Sequence, residues 1–171
     1  MIGGGSNVMP QSSNLKCVPI VGEASCGLPI LNSYQDDEVV YISENDYKKG
    51  LYAVIASGDS MTPEINDSDR VVCDPTAEII SGDLVHYKFY NDSAIKVYFR
   101  DENKGITQFI PYNNTADFKT VTVLDDDKEM LENLTIAKVV HITRVIDDGR
   151  KQRLRLLGKC NFKRSRNSNW Q

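Results

Sequence analysis

The chain has 171 residues, 40% hydrophobic and 26% charged, with a net charge of −4. That balance suits a globular chain with a core of its own. No apolar run approaches the roughly 18–20 residues of a membrane span, and the opening Met1-Ile2-Gly3-Gly4-Gly5-Ser6 lacks an apolar signal segment, so a cytoplasmic protein without a membrane anchor is expected.

Residues 1–16, rich in Gly, Ser and Asn, read as a flexible linker or arm. They carry no amphipathic helices of the kind a helix-turn-helix unit needs, so no DNA-reading element is expected in this chain. From Val18 to about Ile146 the sequence is β-rich. Candidate strands are Glu38–Ile42, Tyr52–Ala56, Arg70–Cys73, Asp83–Tyr90, Ala94–Phe99, Gly105–Ile110, Lys119–Leu124 and Thr135–Val145. β-branched and aromatic residues dominate them, and Gly, Asn, Asp and Pro separate them. Asp59–Glu64 is expected to make a short helical turn, and Asn45–Gly50 and Asp126–Asn133 can each hold another. Short strands at regular spacing predict an all-β, compact, bent β-barrel-like fold with one or two helical turns.

Cys17, Cys26, Cys73 and Cys160 have neither metal-ligand spacing nor the density of a disulfide framework, and read as reduced thiols. His86 and His141 lie in separate strand-like runs and read as structural; Asp125-Asp126-Asp127 reads as an acidic turn. No metal or cofactor is expected. From Gly149 to Gln171 there are eight basic residues and no acidic ones, leaving 12 basic against 24 acidic residues, or −12, for the rest. An acidic body is poorly suited to nucleic acid. The basic segment, 148–171, reads as a solvated extension, although DNA, RNA or an acidic partner would also suit its charge.

The chemistry concentrates in Ser57-Gly58-Asp59-Ser60-Met61-Thr62-Pro63 and, 36 residues after Ser60, Ala94-Ile95-Lys96. A serine in a tight Gly-containing turn is an accessible hydroxyl, and a lysine in an apolar strand is a base that burial can neutralise. Together they fit a Ser–Lys nucleophile and base. An ordinary lysine titrates near pKa ~10.4, so bringing a base to about 7–8 requires roughly 3–4 kcal/mol of destabilisation of the ammonium, which an apolar site can supply. Each residue alone has a plainer reading: Ser60 as a turn serine, Lys96 as a solvated residue on an edge strand.

The surrounding blocks decide between these readings. Ser60-Met61-x-Pro63-x-Ile65, Asp67-Ser68-Asp69-Arg70-Val71-Val72, Ser81-Gly82-Asp83-Leu84-Val85, Ala94-Ile95-Lys96 and Phe109-Ile110-Pro111-Tyr112-Asn113-Asn114 occur in that order. In order and spacing they resemble the self-cleaving peptidase domain of LexA, phage CI-type repressors and UmuD, over about Val18 to Val145. The resemblance implies an all-β domain at 17–147 with Ser60 and Lys96 catalytic and the backbone amides of Asp59 and Ser60 as oxyanion donors. Members cut their own chain at an Ala-Gly or Cys-Gly bond some 35 residues before the nucleophile. Here Cys26-Gly27 lies 34 residues before Ser60, in a cleavage loop at about 22–30. Bacterial signal peptidases share the Ser-Met-x-Pro motif and a lysine base, but they are membrane-tethered, and the missing anchor argues against them.

The resemblance further implies a homodimer, a RecA–single-stranded-DNA filament as co-protease after DNA damage, and DNA contact only through a domain not present in this chain. Two biological roles stay open: the C-terminal part of a LexA- or CI-like transcriptional repressor, which is favoured, and a UmuD-like accessory protein that activates a translesion polymerase. A non-cleaving dimerisation module is a third. Two departures from the pattern stand out. Ala24 replaces a bulkier valine found in several relatives, which predicts weaker docking of the cleavage loop. Ser68 replaces the glycine of a usual Gly-Asp, a change that matters only if the turn needs a positive φ.

Overall fold

The computed structural model describes residues 14–25, 38–113, 115 and 117–144. Nine strands and one short helix follow in order: β1 Leu15–Ser25, β2 Val39–Ser43, β3 Tyr52–Ser57, β4 Arg70–Asp74, β5 Leu84–Phe89, β6 Asp92–Asp101, β7 Ile106–Ile110, β8 Val121–Leu124, α1 Lys128–Asn133 and β9 Leu134–Thr143. They form one sheet in the order β2-β1-β3-β4-β9-β5-β6-β7-β8. The sheet curls until β1 also lies against β6, so the expected bent all-β architecture is what the chain adopts.

β1 was not among the candidate strands, and its sequence explains why. Pro19 and Gly22 interrupt it, and both residue types weaken a strand reading. In the fold, Leu15 to Pro19 pair antiparallel with β2, whereas Ile20 and Glu23 to Ser25 pair parallel with β3. The two interrupting residues sit where the strand changes partner: Pro19 closes the β2 ladder, and the register shifts between Ile20 and Glu23. A residue without an N–H is tolerated at such a handover.

β3 and β4 are covered on both faces, which accounts for their almost unbroken apolar text. The pair Val54–Val71 faces a core of Ala24, Ala56, Met61, Ile65, Cys73, Ile95 and Ala137. The neighbouring pair Ala53–Val72 faces a second core with Val18, Val40, Ile42 and Leu51. A third core, built around Phe109, Val85, Tyr87, Ala94 and Val123, lies under the hairpins of β5 to β8.

Asp126–Asn133 holds α1, whose N-cap Asp127 accepts a hydrogen bond from the Met130 N–H. Asn45–Gly50 makes successive turns with no helix, ending at Gly50 with φ +98°. The acidic run 125–127 is structural: Asp125 takes a two-pronged bond from Arg100 at 2.6 and 2.7 Å while Asp127 caps α1. Among the described residues no cluster of His, Cys, Asp or Glu is arranged to hold a metal, and no helix is long and apolar enough to cross a membrane.

Candidate active site

The turn that carries Ser60 follows β3 directly. Gly58 leaves the strand at φ +88°, a left-handed conformation that side-chain-bearing residues adopt at a cost, and its N–H donates to Asp67 Oδ1 at 2.9 Å. The chain then winds once, as expected for Asp59–Glu64: Thr62 N–H donates to the Asp59 carbonyl at 3.1 Å and Ile65 N–H to the Met61 carbonyl at 2.9 Å. The Thr62–Pro63 peptide is cis. Spacing by four places the Met61 and Ile65 side chains together in the core beneath, 4% and 1% exposed. Burying each is worth about 2 kcal/mol, so the turn is plugged into the sheet by its own apolar residues.

That anchoring sets Ser60 inward, 2% exposed, with its Oγ 2.6 Å from Lys96 Nζ. Lys96 is 5% exposed. β6, which carries it, runs between β5 and β7, so the reading of a solvated lysine on an edge strand does not hold. The two side chains are thus in hydrogen-bond contact inside a low-dielectric wall, the arrangement a proton transfer between them requires.

A small cleft opens beside Ser60, bordered by Ala24, Ala56, Ser57 and Ile95 on the strand side and by Gly58, Met61 and Ile65 on the turn side. Its walls combine small and apolar residues with the Ser57 and Ser60 positions, suited to an extended backbone with modest side chains. Ala24 is itself one of them. β1 runs parallel to β3 with Ala24 opposite Ala56 and Ser25 opposite Ser57. The strand leading towards the expected cleavage bond therefore ends beside the strand leading into the turn that carries Ser60. Cys26 and Gly27, the rest of the expected cleavage loop, Cys160 and the basic segment 148–171 lie outside the described residues.

The turn is held from below by a second turn, Asn66–Asp69. Ser68 N–H donates to the Ala56 carbonyl at 2.7 Å, and Ala56 N–H donates to the Asp69 carbonyl at 2.8 Å. Ser68 sits at φ 71°, so this turn does need a positive φ and a serine supplies it. The Asp69 carboxylate, 3% exposed, accepts from Asn66 N–H and takes a fork from Arg144 at 3.0 and 2.8 Å. That bond pushes the Arg144 guanidinium above its ordinary range.

Behind the site lies a buried polar set. His86 contacts the Tyr52 hydroxyl through Nδ1 and the Ser93 hydroxyl through Nε2, each at 2.7 Å. Burial, with a smaller contribution from Lys88, lowers its pKa to about 4. Cys73 is pushed up to about 12 by burial, and Cys17 is an exposed free thiol. The structural reading of His86 stands, since both ring nitrogens are occupied.

Tyr112 and Asn113, quoted above only as part of a block, prove to touch the turn that carries Ser60. Asn113 N–H donates to the Ser60 carbonyl at 2.9 Å, and Asn113 Nδ2 to the Asp59 carbonyl at 3.0 Å. Tyr112 N–H points to Met61 Sδ at 3.4 Å. Asp67, Asp69 and Arg144 are likewise site supports without an earlier role. The usable signal for the aspartates was their place in a short polar loop, where Asp bonds to nearby backbone.

The family model described as Peptidase S24-like matches residues 19–140. Among curated proteins, LexA repressor 1 of Nocardia farcinica is 31% identical over 144 residues, covering 83% of this chain and 62% of its own. The LexA repressor of Clostridium acetobutylicum is 33% identical over 103 residues, covering 58% and 50% respectively. That of Saccharophagus degradans is 24% identical over 139 residues, covering 80% and 68%. The chain thus spans between half and about two-thirds of the length of these relatives.

Proposed function

Because the chain belongs to the peptidase S24-like family, we propose that it is the self-cleaving, dimer-forming part of a LexA/CI-like repressor. It cuts its own Cys26–Gly27 bond with Ser60 as nucleophile and Lys96 as base. The observation that carries this reading is the buried 2.6 Å contact between Ser60 Oγ and Lys96 Nζ, next to the strand that leads to Cys26. The repressor names of the relatives favour this role over a polymerase accessory.

Neutral Lys96 accepts the Ser60 proton as Oγ attacks the Cys26 carbonyl carbon. The amides of Asp59 and Ser60 stabilise the oxyanion. Collapse of the tetrahedral intermediate breaks the C–N bond, the Lys96 ammonium protonates the departing Gly27 amine, and water then hydrolyses the Cys26 ester. Substrate and nucleophile share a chain, so docking of the loop governs the rate; effective molarities of ~10⁵ M or more apply only in the docked state. A RecA–single-stranded-DNA filament formed after DNA damage promotes that docking in the cytoplasm, and DNA is contacted through residues outside this chain.

The test is incubation from pH 7 to 10 followed by mass spectrometry for a cut after Cys26. A lysine base works only when neutral, so cleavage rises with pH. Ser60→Ala and Lys96→Ala stay folded and uncut. An unchanged rate in either variant, or a rate flat with pH, would refute this chemistry.

A further inference from the structure

We infer that Asn113 is a positioning residue that holds the peptide between Asp59 and Ser60 in the orientation needed to stabilise the oxyanion; this rests on the Ser–Lys cleavage reading above. The N–H of that peptide belongs to Ser60 and is one of the two amides assigned to the oxyanion. A trans peptide is planar, with its C=O and N–H pointing in opposite directions. Fixing the carbonyl therefore aims the N–H.

The Asp59 carbonyl is fixed from two sides, by Thr62 N–H within the turn at 3.1 Å and by the Asn113 side chain at 3.0 Å. A carbonyl only accepts, so the atom of Asn113 that faces it is the amide nitrogen. The backbone of Asn113 takes the next carbonyl, that of Ser60, at 2.9 Å. One residue thus grips both ends of the nucleophile's own backbone. Gly58 at φ +88° is the swivel on the other side, so the grip of Asn113 adds to the turn's own bonds next to the point where its backbone is freest to rotate.

The origin of the strap matters as much as its bonds. Asn113 follows β7, which pairs with β6 through Val97–Ile110 and Tyr98–Phe109, immediately beyond Lys96. The strap extends from the strand beside the base and closes on the nucleophile. It therefore couples the position of the turn to that of Lys96, although Ser60 and Lys96 stand on elements that share no ladder.

The experiment uses the full chain and three variants. Asn113→Asp keeps size and the backbone bond but removes the side-chain donor. Asn113→Ala removes the side chain, and Asn113→His restores a donor, Nδ1–H, at the same reach. Self-cleavage is followed from pH 7 to 10.5, with thermal unfolding as the fold control. Labelling of Ser60 by diisopropyl fluorophosphate, a small reagent that needs no docked loop, is followed by mass spectrometry.

Deleting a whole oxyanion donor costs about 10²–10³ in rate, so loosening one is expected to lower the plateau by about 10–100-fold. Asn113→Asp and Asn113→Ala show that loss, with the alkaline midpoint unchanged and labelling slowed in parallel; Asn113→His regains most of it. A normal plateau in Asn113→Asp would overturn the assignment. So would a lowered plateau with normal labelling, because Asn113 would then serve loop docking. A wild-type chain that neither cuts itself nor labels would instead overturn the cleavage reading on which the assignment depends.

Discussion

Acid should unfold this protein through His86 before the carboxylates contribute. The imidazole is buried between the Tyr52 and Ser93 hydroxyls, with Lys88 as the nearby charge, and its pKa falls from 6.5 to about 4. The native state keeps it neutral while the unfolded chain takes up a proton near pH 6.5. The stability it contributes is therefore full above pH 6.5 and lost as the pH falls towards 4. At ~1.36 kcal/mol per unit, the loss is about 2 kcal/mol by pH 5 and about 3 kcal/mol below pH 4. Urea unfolding at pH 7.5, 6 and 5, on wild type and on His86→Gln, measures it. Glutamine keeps a donor and an acceptor for the two hydroxyls but cannot titrate. Wild type is expected to lose about 2 kcal/mol more than the variant between pH 7.5 and 5. The groups common to both proteins cancel, the exposed His141 among them. Parallel stability curves would refute the reasoning, as would a His86 ring signal that titrates near 6.5 in NMR.

The two supports below the nucleophile turn give further tests. Ser68→Gly relieves roughly 1–2 kcal/mol of left-handed strain at φ 71° but adds freedom to the unfolded chain, for a net gain of about 0.5–1 kcal/mol and a rise in Tm of ~1–4 °C. A fall in Tm would show that the serine side chain does more for this turn than its backbone costs. Arg144→Gln leaves the buried Asp69 carboxylate without its fork and should cost about 1–2 kcal/mol, less than a fully buried pair because the guanidinium is half in solvent. Arg144→Lys recovers only part of this, since an ammonium cannot supply the two parallel bonds. Full recovery by lysine in urea unfolding would mean that charge alone holds the turn.

The amino-acid sequence by itself determined the features that depend on neighbours along the chain. β-branched runs and their Gly, Asn and Asp punctuation marked β2 to β9 to within a few residues. Gly58 marked the turn that carries Ser60. Lys96 stood out because a charge in the middle of an apolar strand is costly, and the residue types suggested its pairing with Ser60, which the family resemblance then favoured over the plainer readings. Only the tertiary structure decided that contact. β3 and β6 are separated in the sheet by β4, β9 and β5, and no local property of either strand predicts that the sheet will curl enough to bring their side chains to 2.6 Å. β1 was illegible for the same reason: Pro19 and Gly22 weaken it as an isolated strand and become harmless only because it changes partners between them. The positive φ of Ser68 and the reach of Asn113 to Asp59 also depend on bonds between segments far apart in the chain. Propensity and spacing are summed along the backbone and can be read there. Which strand lies beside which is settled by burying three cores at once, and that sum exists only in the folded chain.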